Sequence, residues 1–309
     1  MTVPSRSGGR SPLPSALLAW LFVAIWGSGY IASKAGMQYV PPFTFLLLRY
    51  SCAFLLLVPL LAWWHRHQPL RWPGTRRELM HVVFAGLLMH VGNLGGSHYA
   101  QYLGMSAGVT ALVLALQPLV TAAIAALFMH ERLRGGQWLG VFVGLAGVVL
   151  VVWHKIDVRA LSSGALGAVL FSLVSITIGT LYQRVFCPTV DLRTASLVQF
   201  AAAVVTLVPL ALAVERTLPR WSWTLLAALA YLVILGSIFA FNALNTLMRR
   251  GEATRVTSLL YLTPIFAVVL EWLLFGVVPT GLTLVGIAVT CAGVALVAWR
   301  PRRPEAGIA

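Results

Sequence analysis

The sequence predicts an all-α polytopic membrane protein: ten transmembrane helices laid out as two inverted five-helix repeats. Three observations carry this: a charge-poor apolar composition, ten stretches each long enough to cross a bilayer, and two halves that align with each other. Of the 309 residues, 59% are hydrophobic and 10% charged, against about 45–50% and about 25% in an ordinary soluble domain. Mean hydropathy is +0.87. Such a chain has too little polar surface to stay dispersed in water. That excludes a cytosolic globular enzyme, a disordered protein and a soluble nucleic-acid binder. On a soluble protein the net charge of +14 would point to nucleic acid; here the question is which face of a lipid bilayer holds the cations. Cys52, Cys187 and Cys291 are too far apart for a disulfide framework or a zinc site, and neither a metal nor a cofactor is expected.

A helix crosses the hydrocarbon core with about 20 mostly apolar residues. Stretches that meet this lie at 15–34, 43–64, 79–99, 106–129, 136–153, 163–184, 193–214, 223–247, 254–276 and 281–299. A polar leader, 1–14, precedes the first, which is too long for a signal-peptide core and has no cleavage signature; a tail, 300–309, follows the last. The connectors differ in charge. Sixteen Lys and Arg fall on the side of the two termini, five (Lys34, Lys155, Arg159, Arg216 and Arg220) on the other, and Arg49 lies inside a span. Positive connectors stay in the cytoplasm, so both termini are expected there.

The first half, 15–153, and the second, 154–299, resemble each other. "LLRYSCAFLLLVPL" (47–60) aligns with "SLVQFAAAVVTLVPL" (196–210), which matches Pro59 with Pro209 and Arg49 with Gln199. "VTALVLALQPLV" (109–120) aligns with "RVTSLLYLTPIF" (255–266), which matches Pro118 with Pro264 and Gln117 with Thr263. Five spans per half make the second half start on the opposite side, so the repeats are inverted. Secondary transporters are built this way, with the substrate site near mid-membrane between the halves.

Two segments carry a family resemblance. "WGSGYIASKAGMQYVPPFTFLLLRY" (26–50) has a Trp-Gly-Ser opening, a Lys at the end of the first span, a Pro-Pro start to the second, and the Arg of "LLRY". "QPLVTAAIAALFMHERLRGGQWLGVFVGLAGVVLVV" (117–152) has the mid-helix Pro, a Glu-Arg-Leu at the helix end, and a Gly-rich fifth span. The chain resembles the drug/metabolite transporter superfamily, EamA type, over nearly its whole length. The second half departs from the pattern: Val277 stands where the repeat calls for the mate of Glu131, and Glu271 lies six residues earlier. In length and layout the chain is similar to the YddG-like amino-acid exporters. The resemblance implies export of a small-molecule substrate, an amino acid, by alternating access across the inner membrane of a bacterium.

Polar side chains inside a membrane helix mark protein-lined or water-filled faces. Trp26, Tyr30 and Ser33 recur at helical spacing in the first span, and Ser172, Ser175, Gly179 and Tyr182 at matching positions of the sixth. His90, Asn93 and Ser97 form a stripe in the third, with Tyr99 near its end; Gln117 stands in the fourth, Asn242 and Asn245 in the eighth, and Tyr261 in the ninth. These side chains are expected to line a central cavity between spans one, three, four, six, eight and nine, with spans five and ten peripheral. Each also has a plain structural use, because Ser and Thr bond their own helix backbone and Asn and Gln join helices.

Pro118 and Pro264 each remove a backbone donor at matching depth, which suits either a gating kink or a fixed bend. Arg49 can attract a carboxylate or join an external gate; the gating or structural role is the favoured reading. Glu131 ends a helix, where the macrodipole disfavours an anion, so it is read as a cytoplasmic latch that needs cationic or N–H partners. Glu271 is the only acid well inside a span, suited to proton coupling or to a structural hydrogen-bonded carboxyl. Gly136, Gly140 and Gly144, with Gly286, Thr290 and Gly293 in the repeat mate, allow close helix contact. That contact serves packing within a monomer or, alternatively, a dimer.

A membrane-embedded enzyme would need an HExxH helix, a GxS with a His or Lys base, or paired carboxylates within the membrane. The sequence has none of these, so no enzymatic activity is expected. A multidrug or other metabolite permease of the same fold is the alternative transporter. Neutral hydrogen-bonding groups between aromatic walls suit several neutral amino acids, aromatic ones included. The charge asymmetry makes one direct prediction. In a cysteine-free background, Lys155→Cys should react in intact cells with a membrane-impermeant maleimide, and Arg76→Cys should react only after permeabilisation.

Overall fold

The structure, a computed structural model, describes residues 15–67, 69–128, 134–157, 162–240, 243 and 262–298. Every regular element among them is helical. α1 (Ser15–Gly36) and α2 (Pro42–His67) are unbroken spans. The third span runs through α3 (Arg76–Gly86), a π-helical segment (Leu87–Asn93) and α4 (Leu94–Tyr102). The fourth is split into α5 (Ala107–Leu114) and α6 (Gln117–Phe128). Then come α7 (Gly135–Asp157), α8 (Ser163–Phe186) and α9 (Leu192–Val214). α10 (Trp223–Ala230) passes into a second π-helical segment (Tyr231–Phe239), and α11 (Thr263–Phe275) and α12 (Gly281–Ala298) complete the order. Seven helical stretches are long and apolar enough to cross a membrane, and three shorter apolar ones, Trp223–Ser237, Thr263–Phe275 and Gly281–Val297, occupy the remaining positions. The outside of the bundle is apolar: Val205 is 72% exposed and Leu212 78%, a surface for lipid.

Local chemistry sets the helix starts. Ser106, Ser162 and Ser222 each accept a bond from the backbone N–H three residues on, at 3.1–3.2 Å, which satisfies one of the orphan donors of a helix N-terminus. At the start of α3, Thr75 accepts from Glu78 N, and Glu78 Oε2 accepts from Gly74 N at 2.8 Å. Pro42 opens α2, a first-turn position whose missing N–H costs nothing. Pro118 sits one residue into α6, just past the break after Leu114, and Pro264 one residue into α11. The matched prolines therefore begin helical segments. Gly276, at φ 67°, ends α11 in the left-handed region.

Corresponding spans of the two halves pack on each other, α2 on α9 and α7 on α12. The α7–α12 contact brings backbones together. A Cβ on Gly140 would lie 2.6 Å from Gly293 O, and one on Gly147 would lie 2.7 Å from Gly286 O. The small-residue face of α7 is thus occupied by α12 of the same chain from Gly140 to Gly147; around Gly136 nothing lies within 4 Å of an added Cβ.

Two faces of the bundle are distinguished by their connectors. One carries the α1–α2, α4–α5, α9–α10 and α11–α12 turns and is called the Lys34 face. The other carries the α2–α3 and α8–α9 turns and is called the His67 face. On the Lys34 face, Glu271 of α11 is 2% exposed and accepts from Lys34 Nζ at 2.6 Å and from Ala107 N and Gly108 N at 2.9 Å. One carboxylate thereby ties the end of α1, the start of α5 and α11. Close approach requires Gly108, where a Cβ would lie 2.3 Å from Val268 Cγ2. Glu215, at the end of α9, does the same for α2, accepting from Phe43 N and Thr44 N at 2.7 Å and from Thr44 Oγ1 at 2.6 Å. Arg220 donates to Gln38 O and, through its backbone, to Tyr39 O at 2.9 Å.

Removing one partner of a buried ion pair typically costs about 3–5 kcal/mol. Glu271→Ala should lower stability by that order in thermal denaturation of detergent-purified protein. Lys34→Met should cost less, because the α5 amides still hold the carboxylate.

Candidate functional site

A cavity of about 410 Å³ lies between the halves. Its lining comes from α1, α2, the third span, α8, α9 and the second π-helical segment. It extends from Ser33 on α1 and His98 on α4 to Trp64, Leu192 and Arg193 at the His67 face. None of the Lys34-face turns contributes, since the Glu271 and Glu215 contacts close that side. Both π-helical segments border the cavity, the first with Met89, His90 and Asn93, the second with Leu232, Gly236 and Ser237. They occupy corresponding spans, and such segments are common at functional sites because they open the backbone ladder.

The polar groups of the lining form one chain of neutral donors and acceptors. Tyr50 O–H donates to His90 Nδ1 at 2.9 Å. His90 Nε2–H donates to Gln199 Oε1 at 3.2 Å, and Gln199 Nε2–H to Gln183 Oε1 at 3.0 Å. The Gln199 carbonyl oxygen can only accept, so Nε2 of His90 carries a proton. Four spans are joined across the cavity wall. Phe200 packs edge-on against His90, with ring centroids 5.3 Å apart. Arg49 stands beside this chain, its guanidinium 5.8 Å over the Tyr50 ring. Its Nε is a buried donor without an acceptor, and His98 Nε2 is likewise unpartnered.

Of the side chains expected to line a cavity, Trp26, Tyr30, His90 and Asn93 do so, together with Arg49. Asn93 is also committed to the helix contact: Ser172 Oγ donates to its backbone oxygen at 2.6 Å and to Oδ1 at 2.8 Å. Five others are corrected. Ser97 is buried and donates to Leu94 O at 3.2 Å, one step round the helix from His98, which takes the lining position. Ser175 is packed under Gly92, whose Cβ would lie 2.7 Å from its Oγ. Tyr99 stacks on Phe43 at 5.7 Å and borders a separate apolar pocket. Tyr182 pairs with His81 Nδ1 at 2.6 Å. Gln117 reaches Thr180 at 3.4 Å, so the fourth span packs on α8 and leaves the lining to α2 and α9. Asn242, Asn245, Tyr261 and Glu131 lie outside the described residues. Glu271 sits at the Lys34 face, away from the cavity, and Arg49 has no hydrogen-bond partner among the described residues that would make it part of a gate there.

Tyr50, His98, Gln183, Gln199 and Phe200 are cavity residues that the polar stripes did not single out. One signal was present: the repeat alignment pairs Gln199 with Arg49, and both face the cavity.

Among known proteins, the EamA-like transporter family matches this chain twice, over residues 13–153 and 162–299. The chain is 31% identical over 290 residues to the "Uncharacterized inner membrane transporter YedA" of Escherichia coli K12, covering 89% of this chain and 90% of that one. It is 24% identical to the "Probable amino-acid metabolite efflux pump" of Salmonella typhimurium, covering 89% and 92%. A solved crystal structure superposes with a TM-score of 0.63 over 91% of this chain and 95% of that chain at 19% identity, a likeness of fold alone.

The polar chain has a measurable worth. Gln199→Leu strands His90 Nε2–H and the Gln183 carbonyl and should destabilise the purified protein by about 1–3 kcal/mol. Ser196→Ala, one turn away and bonded only to Leu192 O, should stay within about 0.5 kcal/mol.

Proposed function

We propose a substrate and a direction for this protein, which belongs to the EamA-like transporter family and is a membrane transporter: it exports small amphiphilic metabolites, chiefly neutral and aromatic amino acids, across a bacterial inner membrane. The observation that carries this reading is the cavity of about 410 Å³, which reaches one face and is closed at the other. Its size falls within the range of small-molecule sites, about 300–1,000 Å³. Its walls are aromatic and apolar (Trp26, Tyr30, Trp64, Phe200, Leu232) around one neutral hydrogen-bonded chain. Such walls suit an apolar side chain with a polar end and discriminate weakly between side chains, which gives broad selectivity. The name of the Salmonella relative supports amino acids.

With the positive connectors in the cytoplasm, the His67 face is cytoplasmic, both termini lie inside, and the cavity is open to the compartment where an exporter loads. Alternating access then requires the Glu271 and Glu215 contacts to part as the His67 face closes. The substrate reading is tested with purified protein in liposomes loaded with a panel of solutes. Several neutral amino acids, Phe and Met among them, should show protein-dependent counterflow. Trp26→Ala should slow Phe by roughly 2–10-fold, the worth of one aromatic contact of about 0.5–1.5 kcal/mol, and slow Ala less. Flux of sugars or lipids with none of amino acids would overturn the substrate and leave the fold untouched.

A further inference from the structure

Among the described residues, the cavity lining holds a cation and no anion. Arg49 is the one residue of the described lining whose charge lacks a counter-charge. The other lining cation, Arg193 at the mouth, is paired with Asp191 at 2.7 Å. No Asp or Glu borders the cavity among the described residues. The four acids whose side chains are described are committed elsewhere: Glu78 to the start of α3, Asp191 to Arg193, Glu215 to the start of α2, and Glu271 to Lys34 and α5. Three neutral acceptors of the lining are in use, while His98 Nε2 has no hydrogen-bond partner. His90 Nδ1 accepts from Tyr50, Gln199 Oε1 from His90, and Gln183 Oε1 from Gln199. Gly236 of the second π-helical segment lies close to the guanidinium: an added Cβ there would be in van der Waals contact with Arg49 Nη2, at 3.8 Å. A side chain larger than Ala there would crowd the guanidinium.

Arg49 is half-buried and its Nε is a buried donor without an acceptor, a cost that a bound anion would offset. A planar fork with free donors matches a carboxylate in bidentate geometry. We propose that Arg49 is the carboxylate-binding residue of the transport cavity, and that the cavity selects monocarboxylates with an apolar body while leaving an α-ammonium group unread. The ammonium of an amino acid finds no anion among the described lining residues and stays hydrated toward the His67 face. The apolar body lies against the Trp26, Phe200 and Leu232 side of the cavity. Position 199, the mate of Arg49 in the repeat, is a neutral Gln bound into the polar chain, so the two halves provide one carboxylate site. This rests on the reading of the cavity as the transport site for small amphiphilic metabolites and sharpens its substrate class.

The test is a ligand series on purified wild-type protein, read as ligand-induced thermal stabilisation and as quenching of tryptophan fluorescence, since Trp26 and Trp64 both line the cavity. The probes are phenylalanine, 3-phenylpropionate (the ammonium removed), and phenethylamine and phenylalanine amide (the carboxylate removed). Phenylalanine and 3-phenylpropionate should bind with affinities within a few-fold of each other, and both carboxylate-free probes should bind about tenfold or more weaker. Arg49→Leu should abolish that preference, and Arg49→Lys should retain part of it. Equal binding of phenethylamine and 3-phenylpropionate would overturn the proposal, as would a folded Arg49→Leu variant that keeps the preference. The wild-type series decides the matter even where Arg49→Leu does not fold. If 3-phenylpropionate binds preferentially but no amino acid is moved in liposomes, the amino-acid reading fails and the carboxylate site stands. If amino acids are moved and the amine competes as well as the acid, the converse holds.

Discussion

The buried carboxylate of Glu271 is the constraint on which the arrangement of the Lys34 face depends. A helix that starts inside an apolar bundle presents backbone N–H groups that neither water nor the helix itself can satisfy. α5 starts in that position, and two of those donors, on Ala107 and Gly108, point at Glu271. The carboxylate gains from the helix dipole as well as from Lys34. Each member would be expensive alone: an acid 2% exposed, a lysine at the end of an apolar span, and two unpaired amides. Together they satisfy one another, and the positions of α1, α5 and α11 are set as a unit.

Closure of that face determines where the cavity can open. Glu215 seals the start of α2 by the same means, and Arg220 ties its loop to the α1–α2 turn. With α1, α2 and α5 drawn together at one end, the space between the helices reaches the other, the His67 face. The two π-helical segments line this space from opposite halves. Their interrupted backbone bonding places His90 and Ser237 in the wall, where a regular helix would follow a single straight stripe.

That last point bears on how much was legible in the sequence. The spans were, because a bilayer imposes a length and a composition that few other folds share. The pairing of halves was too, because Pro59, Pro118, Pro209 and Pro264 mark equal depths. The lining was legible only in part. A polar stripe identifies a face turned from lipid, yet a face packed on another helix and a face on a cavity read alike. Gly92 and Gly96 let α8 approach so closely that Ser172 and Ser175 are buried in the contact. The glycine pair four residues apart was the signal for that, and the serines by themselves were not. The role of Arg49's neighbours was hidden for another reason: Tyr50, His90, Gln199 and Gln183 come from four different spans, and no local spacing links them. Glu215 reads in sequence as a connector acid, and only the fold brings it to the Pro-Pro start of α2.

The inverted repeat makes the placement of these charges informative. In the alignment that matches Arg49 with Gln199, the residue corresponding to Glu215 is His65, and in the one that matches Pro118 with Pro264, the residue corresponding to Glu271 is Ala125. The second half therefore supplies both carboxylates that cap first-half helices, and the first half has no acid at either mate. At the His67 face, α9 is capped from within its own connector, by Asp191, which accepts from Arg193 N at 2.9 Å. His65 accepts a bond from Leu70 N, also within its own half. The contacts that hold the Lys34 face shut thus have no symmetric counterparts at these positions to hold the His67 face shut. Backbone and packing obey the pseudo-twofold, as α2 on α9 and α7 on α12 show, while the charges break it. Among the described residues, the carboxylates that bind one half to the other are thus those of the closed Lys34 face.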